Sequence, residues 1–513
     1  MSAGQSAGWR EWGGLALLAL PTMLLGLDVT ALYLVVPGLA VDLDPTATET
    51  LWIMDAYGFF IAGLLITMGT LGDRIGRRRL LMIGVTAFAA ASVLVAFAPT
   101  ALWLIAARSL LGVAGATLMP STLSLISTTF TDVRQRALAI GIWATMFALG
   151  MAAGPVVGGV LSSAFWWGAV FLIAVPVALL VLAGAPVLLP EHRTRAGRLD
   201  LLSVGLLLAA MLSIIYAIKH AAAHGMDLQA VGVFLVGGGA TVVFVRRQLR
   251  LAEPLLDMKL FTSRAFSAAL SVLLIGLVGF GGVMFLVTQY LQLVADLSPT
   301  TAGLWMGPPA VAMLIGAIGA PLVAGRISPG VVMAATLALS LAGYTLLAMA
   351  GTDSKHAVVA GFTLVYLGLG VVAALGTDIV VGAAPPERAG SAAALSETVQ
   401  ELGIAIGVAL LGSFTTAIYR RSIEVPSGLS APAAEAYGNS LSGASSLENQ
   451  ISADALDHAR TVFTSGLNAA SLAAGIAISV ASVACFVMLR HLQPLGAADH
   501  EAEPVASTSG SKR

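Results

Sequence analysis

The chain has 513 residues, of which 58% are hydrophobic and only 10% charged, and its mean hydropathy is +0.92. Soluble domains carry about 25% charged residues, so this composition excludes a soluble globular fold and describes an all-α polytopic membrane protein. A single cysteine, Cys485, excludes an internal disulfide and a cysteine-based metal cluster, and a net charge of −1 averages over two sides of a membrane and points to no nucleic-acid partner.

A spanning helix needs about 20 mostly apolar residues. Fourteen such runs begin near Gly13, Leu51, Leu80, Ala101, Ala137, Gly168, Leu201, Leu228, Ser267, Thr301, Gly330, Ala357, Ala393 and Thr461. The first holds an acid and continues to full spanning length, so no cleavable signal peptide is expected. An even count puts both termini on one side. Both tails and alternate loops together hold twenty Lys and Arg; the opposite loops hold five, Lys219, Lys355, Arg420, Arg421 and Arg460. The positive-inside bias places both termini in the cytoplasm. The expected organisation is a cytoplasmic N-terminus (1–12), a six-helix bundle (13–189), two inserted helices with a cytoplasmic linker (190–266), a second six-helix bundle (267–489) with an extracellular loop at 419–460, and a disordered cytoplasmic tail (490–513).

In chain order, the first charged residue met inside a span is Asp28, about fifteen residues into helix 1 and, at 1.5 Å per residue, past the bilayer midplane. A carboxylate at that depth marks a functional site, unless it is a structural acid capped by Thr30 or a neighbouring helix. Helix 2 opens with LWIMDAYGFF, which places Asp55 about one turn inside the boundary. Trp52 there suits an interfacial anchor. With Tyr57 and Phe59 it equally makes an aromatic, acidic cluster suited to an organic cation.

Between helices 2 and 3 lies GTLGDRIGRRRLL, 69–81, with Gly69, Gly72, Asp73, Arg74, Gly76 and Arg77 in a fixed pattern. Gly72 and Gly76 permit a tight turn, and the arginines alone would serve a topology-setting loop. Helix 4 carries Arg108 a few residues from its outer edge, followed by Gly112 and Gly115; snorkelling fits a basic residue there. In helix 5, Gly150, Gly154 and Gly158 are four apart, share a face and admit another helix closely; Pro155 kinks the helix, and Gly159 completes the run.

Helices 7 and 8, about 201–245, lack acids and read as an insertion between two halves. GAPLVAGRISPG at 319–330 is a faint echo of 69–81, as expected of duplicated membrane repeats. Helix 13 carries Glu397 and Glu401, i and i+4 on one face and increasingly desolvated along the pair; the alternative is that both are interfacial or paired with Arg388. The 419–460 segment is too long for a plain connector and is expected to hold short helices near 432–437 and 453–459.

The pattern G-x-L-x-D-R-x-G-R-R-R-x-L closely resembles the helix 2–3 loop of the major facilitator superfamily. L-D-x-T in helix 1, R-x-x-x-G-x-x-G in helix 4 and G-x-x-x-G-P-x-x-G-G in helix 5 resemble that superfamily's fourteen-helix drug:proton antiporters, the last being a signature seen mostly in exporters. The resemblance covers nearly the whole chain and implies two six-helix bundles plus two helices (6+2+6) rocking about a central cavity. It implies that Asp28, Asp55 and Glu397, with Glu401, serve proton coupling or cation recognition, that Arg108 relays protons, and that the 69–77 loop switches conformation. One departure is Met313, which stands where some dication exporters of the family carry an acid.

The expected activity is therefore proton-coupled antiport of lipophilic cationic drugs by a monomer in the cytoplasmic membrane. It needs no cofactor or metal, only protons, substrate and the bilayer. A carboxylate in an intermittently wet apolar cavity exchanges a proton near neutral pH, and proton and drug compete for one charge. A dedicated exporter of a single metabolite is the alternative within transport. A membrane-embedded enzyme is the alternative outside it, but no span holds a histidine and no metal or nucleotide motif is present.

Overall fold

A computed structural model describes residues 7–130, 132–191, 200–251, 254, 256, 258–383 and 389–494. Among these the regular structure is entirely helical. Thirteen helical segments are long and apolar enough to cross a membrane. The helix α2 (Ala47–Ile75), 29 residues long, is the fourteenth of comparable length; from Thr50 to Gly72 its only Asp, Glu, Lys or Arg is Asp55.

The first half comprises α1 (Trp9–Leu43), α2, α3 (Arg77–Ala96), α4 (Ala101–Thr129), α5 (Val133–Ala164) and α6 (Ala174–Leu188). The inserted pair is α7 (Leu201–His224) and α8 (Leu228–Gln248). The second half starts at α9 (Arg264–Gln289). Its next span is broken into α10 (Pro299–Trp305) and α11 (Gly307–Ala324), followed by α12 (Pro329–Ala348) and α13 (Lys355–Gly382). α14 (Ala389–Gly407) passes through a π turn, Val408–Gly412, into α15 (Ser413–Ser422), and α18 (Ala453–Leu489) closes the bundle.

Glycine decides how these helices pack. A Cβ on Gly26 of α1 would strike the Phe147 carbonyl of α5, and one on Gly150 would strike the Met23 carbonyl of α1. The same device joins α9 and α14, where Gly281 faces Ile404 and Gly407 faces Val278. It recurs once more in each half: Gly112 of α4 lies on the Tyr57 carbonyl of α2, and Gly370 of α13 on the Met313 carbonyl of α11. Matching close approaches at matching helices are the structural trace of the duplication that the sequence barely retains. Met313 is buried in that α11–α13 contact.

The halves meet along two seams. In one, α2 lies on α14, with Gly58 against Glu401 and Ala405. In the other, α5 lies on α10, with Gly159 against Pro299 and Gly303 against Pro155. Large apolar side chains such as Leu179, Leu235, Leu322, Ile476 and Val480 are exposed around the outside, the surface expected to face lipid.

One boundary differs from expectation. The segment joining the last two spans holds α16 (Ala431–Asn439) and α17 (Leu441–Ser446). Residues 453–459 are not a separate short helix but the first turns of the 37-residue α18, started by Ser452, whose hydroxyl accepts from the Ala455 amide. Helical pattern alone cannot show where a polar helix joins an apolar one without a break. The 1–6 and 495–513 ends and the 192–199 linker lie outside the described residues.

Candidate functional site

The glycine seam with α5 draws α1 into the interior, so that α1 is buried on nearly every side from Leu24 to Val36. Asp28 is thereby denied water, being 5% exposed. Its partner comes from α4. Arg108, 1% exposed, donates from Nη1 to Asp28 Oδ2 at 2.7 Å and from Nε to the Ile53 carbonyl at 3.3 Å. Its guanidinium also stacks over Tyr57, 4.7 Å from the ring centre. Gly112, one turn beyond Arg108, is what lets α4 approach α2 closely enough for this reach. Thr30 takes no part, because its hydroxyl donates to the Met151 carbonyl at 2.8 Å. Arg108 is a buried ion-pair partner and does not snorkel.

Asp55 has a partner that sequence reading misplaced. Lys219, expected in an outer loop, lies within α7 and is 2% exposed. Its Nζ stands 2.7 Å from Asp55 Oδ2 and 4.3 Å from the centre of the Trp52 ring. A basic residue five positions from a helix end looks like a boundary in sequence. Here the helix continues past it and packs that turn against α2.

Glu401 of α14 completes the cluster from the other half. It is 5% exposed and packs beside Gly58 on α2. It lies near enough to Asp28, Arg108 and Glu397 to feel their charges. Glu397, one turn earlier, is half-buried. Arg388, the alternative partner for these glutamates, lies outside the described residues. Tyr57 carries a buried hydroxyl with no hydrogen-bond partner, within the field of both Asp28 and Glu401.

The three aromatic candidates separate. Tyr57 faces Arg108. Trp52 sits on Lys219 and lines a groove of about 350 Å³ with Phe60, Ile105, Ser109, Leu212 and Tyr216. Phe59 is fully buried against Met211 and Ile215 of α7 and Ala405 of α14, so Phe60 rather than Phe59 faces the groove.

At the arginine-bearing end, Gly76 ends α2 and starts α3 with φ +109°, a conformation L side chains rarely adopt. Gly72 lies in the last turn of α2, close under the Arg77 side chain, and Gly69 approaches Pro120. Arg77 donates to the Pro120 carbonyl at 3.3 Å, and Arg78 to the Leu189 carbonyl at 3.0 Å. Glu191, which sequence reading passed over, holds Arg78 and Arg79 at 3.7 and 3.8 Å. Arg74 is exposed, and the Asp73 side chain lies outside the described residues.

The helix-5 motif has two faces. Gly150, Gly154 and Gly158 lie on α1, while Pro155 and Gly159 lie on Gly303 and Pro299 of the other half. One motif therefore fixes both the position of the Asp28 helix and a seam between halves.

The family model for the Major Facilitator Superfamily matches residues 18–408. The chain belongs to that superfamily. It is a membrane transporter of the fourteen-helix efflux branch rather than an enzyme. It is 42% identical to the multidrug efflux pump LfrA of Mycolicibacterium smegmatis, over 94% of this chain and 97% of that one. It is 34% identical to the methyl viologen resistance protein SmvA of Salmonella typhimurium, over 94% and 99%. It is also 33% identical to the tetracenomycin C resistance and export protein of Streptomyces glaucescens, over 79% and 76%. Its fold is that of a bacterial homologue of the human lysosomal transporter Spinster, solved in an inward-facing, unoccupied conformation; the TM-score is 0.65 over 94% of this chain and 98% of that one, at 16% identity.

Proposed function

We propose that this transporter exports lipophilic organic cations in exchange for protons, from the cytoplasm across the cytoplasmic membrane, with both termini inside. The observation that carries the reading is a set of three buried acids in the spans, Asp28 on α1 and Asp55 on α2 in the first half and Glu401 on α14 of the second, with Glu401 packed on Gly58 of α2. Buried charge is costly in a membrane interior and marks a transport pathway. Two of the acids already hold a basic side chain, through Asp28–Arg108 and Asp55–Lys219. Glu401 has none among the described residues. A carboxylate with no ion-pair contact in a dry site takes a proton. In a wet site it releases that proton. Rocking of the halves about the seam alternates these conditions. Tyr57 and Trp52 supply the aromatic faces that bind an organic cation without demanding a fixed shape.

The names of the relatives, a multidrug efflux pump and a methyl viologen resistance protein, support drug cations as the substrate class. The relative that exports tetracenomycin C supports a second reading, a dedicated exporter of one metabolite. The test is a set of proteoliposomes with an imposed pH gradient, loaded in turn with ethidium, a quaternary ammonium dye and a neutral antibiotic. Gradient-dependent efflux of several cations is expected. Efflux of none, or movement of a single neutral compound, would overturn the reading.

A further inference from the structure

The Asp55–Lys219 pair sits where the inserted helices meet both halves. Gly63 of α2 admits Leu208 of α7. Phe59 and Ala62 of α2, Met211 and Ile215 of α7, and Ala405 and Ala409 beyond Glu401 form one small apolar cluster. α7 therefore covers the α2–α14 seam, and Lys219 is its only Lys, Arg, Asp or Glu from Leu201 to His224.

The chemistry of the pair is incomplete. Lys219 Nζ lies 2.7 Å from Asp55 Oδ2, and neither group has a second polar partner among the described residues. An ammonium offers three donors, and a buried ion pair offsets its desolvation only when those positions are filled. An indole face beside a carboxylate is a receptor for an organic cation. Here Lys219 occupies it. Trp52 also borders the groove described above, so an aromatic cation in that groove lies beside the pair.

We infer that Lys219 is the resident cation of the Asp55 site, and that an organic monocation takes its place with loss of one proton from Lys219 Nζ. This rests on the cation-export reading above. In the exchange the drug cation pairs with the Asp55 carboxylate. One N–H bond of the ammonium breaks, its electron pair stays on Nζ, and the proton leaves to water. The site is neutral before and after. A lysine left charged beside a second cation, without its carboxylate, would be a buried unpaired ion, and the neutral amine is the form of lower energy. On return, a proton recharges Lys219, which recaptures Asp55 and expels the drug. The inserted hairpin is then a working part of the exchange.

No other charged group competes for Nζ at ion-pair distance among the described residues. α14 presents Glu401 beside Gly58, and α4 presents Arg108, held by Asp28. On α7 itself Tyr216 and His220 stack, and His220 Nε2 lies 2.9 Å from Asp227 at the head of α8. α15 carries Arg420 and Arg421 in its last turn.

The test uses the purified full-length protein, ethidium as the probe, and a pH indicator in weak buffer to count protons released per ethidium bound. Lys219→Arg keeps the charge and cannot lose its proton. If Lys219 only holds α7 in place, arginine is conservative. If the ammonium must yield a proton, K219R binds ethidium about tenfold more weakly and releases one proton fewer. Lys219→Met removes the competing cation, and ethidium should bind about tenfold more tightly at alkaline pH, where the unpaired Asp55 has shed its proton. Thermal unfolding checks that each variant is folded; where K219R is not, K219M alone decides. K219R with wild-type affinity and proton count, or folded K219M with no gain in affinity, overturns the inference. Wild-type protein that binds no ethidium removes the cation-export reading itself. Wild-type binding with proton release that both variants reproduce removes only the role of Lys219.

Discussion

Arg108 Nη1 and Asp28 Oδ2 are 2.7 Å apart, eighty positions apart in the chain, and both side chains are almost wholly excluded from solvent. The pair ties α4 to α1 in the interior of the first half, beside the seam with the second. Removing one member leaves a buried ion without a partner, which costs about 3–5 kcal/mol. Asp28→Asn should therefore lower the thermal unfolding temperature and abolish pH-driven efflux. The double variant D28N/R108Q removes both charges and should recover stability but not transport. Recovery of efflux in the double variant would show that the pair is structural only.

The α1–α5 contact gives a packing prediction. A single methyl at Gly150 has no room against the Met23 carbonyl. Gly150→Ala should cost about 1–3 kcal/mol by overpacking. Gly141, on the same helix, is the control, because a Cβ there would meet nothing within 4 Å. There alanine should be neutral or gain up to about 1 kcal/mol from helix propensity. Unfolding temperatures of the two variants in one detergent check this, and equal temperatures would refute it.

Gly76 joins α2 to α3 at φ +109°, and a Cβ there would also strike the Glu191 carboxylate. Gly76→Ala should cost about 1–3 kcal/mol in backbone strain. The junction lies at the arginine-bearing end, away from the buried acids. The expected result is slower efflux with ethidium affinity within about twofold of wild type. A large loss of binding with normal turnover would place the junction in the drug site.

The inserted pair is clasped at its other end by Arg247, which donates to both oxygens of Asp200 at 2.9 and 3.2 Å. Those hydrogen bonds, chief among the causes, hold the Asp200 carboxyl at about 2, below its ordinary 3.8. The contribution is thus full above about pH 4 and is lost as pH falls through about 2. The pair is partly exposed, so it adds no more than about 1 kcal/mol. Asp200→Asn should remove that increment at pH 7 and make much less difference at pH 2, where most of it is already lost. Unfolding measured at both pH values decides it.

Transport should also respond to voltage. More buried acids converge here than a one-for-one exchange requires. If two protons enter per monovalent cation exported, each 100 mV adds about 2.3 kcal/mol. Proteoliposomes with no pH gradient and a potassium-diffusion potential should show dye efflux, and Glu401→Gln should blunt its voltage dependence. With Met313 where an acid would serve a dication, divalent dyes should be poorer substrates. Efflux indifferent to voltage, or a preference for dications, would contradict this.

The sequence by itself determined the membrane class and the approximate positions of the apolar spans, and it singled out the candidates Asp28, Asp55, Arg108 and Glu401, because apolar length and the rarity of charge within it are properties of a single segment. The helix-5 glycines also declared their close contact, since four-residue spacing fixes a common face. Which helix they would meet was not in that spacing. Only the tertiary structure decided that it is α1, that Arg108 answers Asp28, that Lys219 belongs inside α7 facing Asp55, and that Glu191 gathers the arginines of the loop. Each is a meeting between distant segments, set by how backbones close on one another at glycine, and no local pattern of residues encodes it.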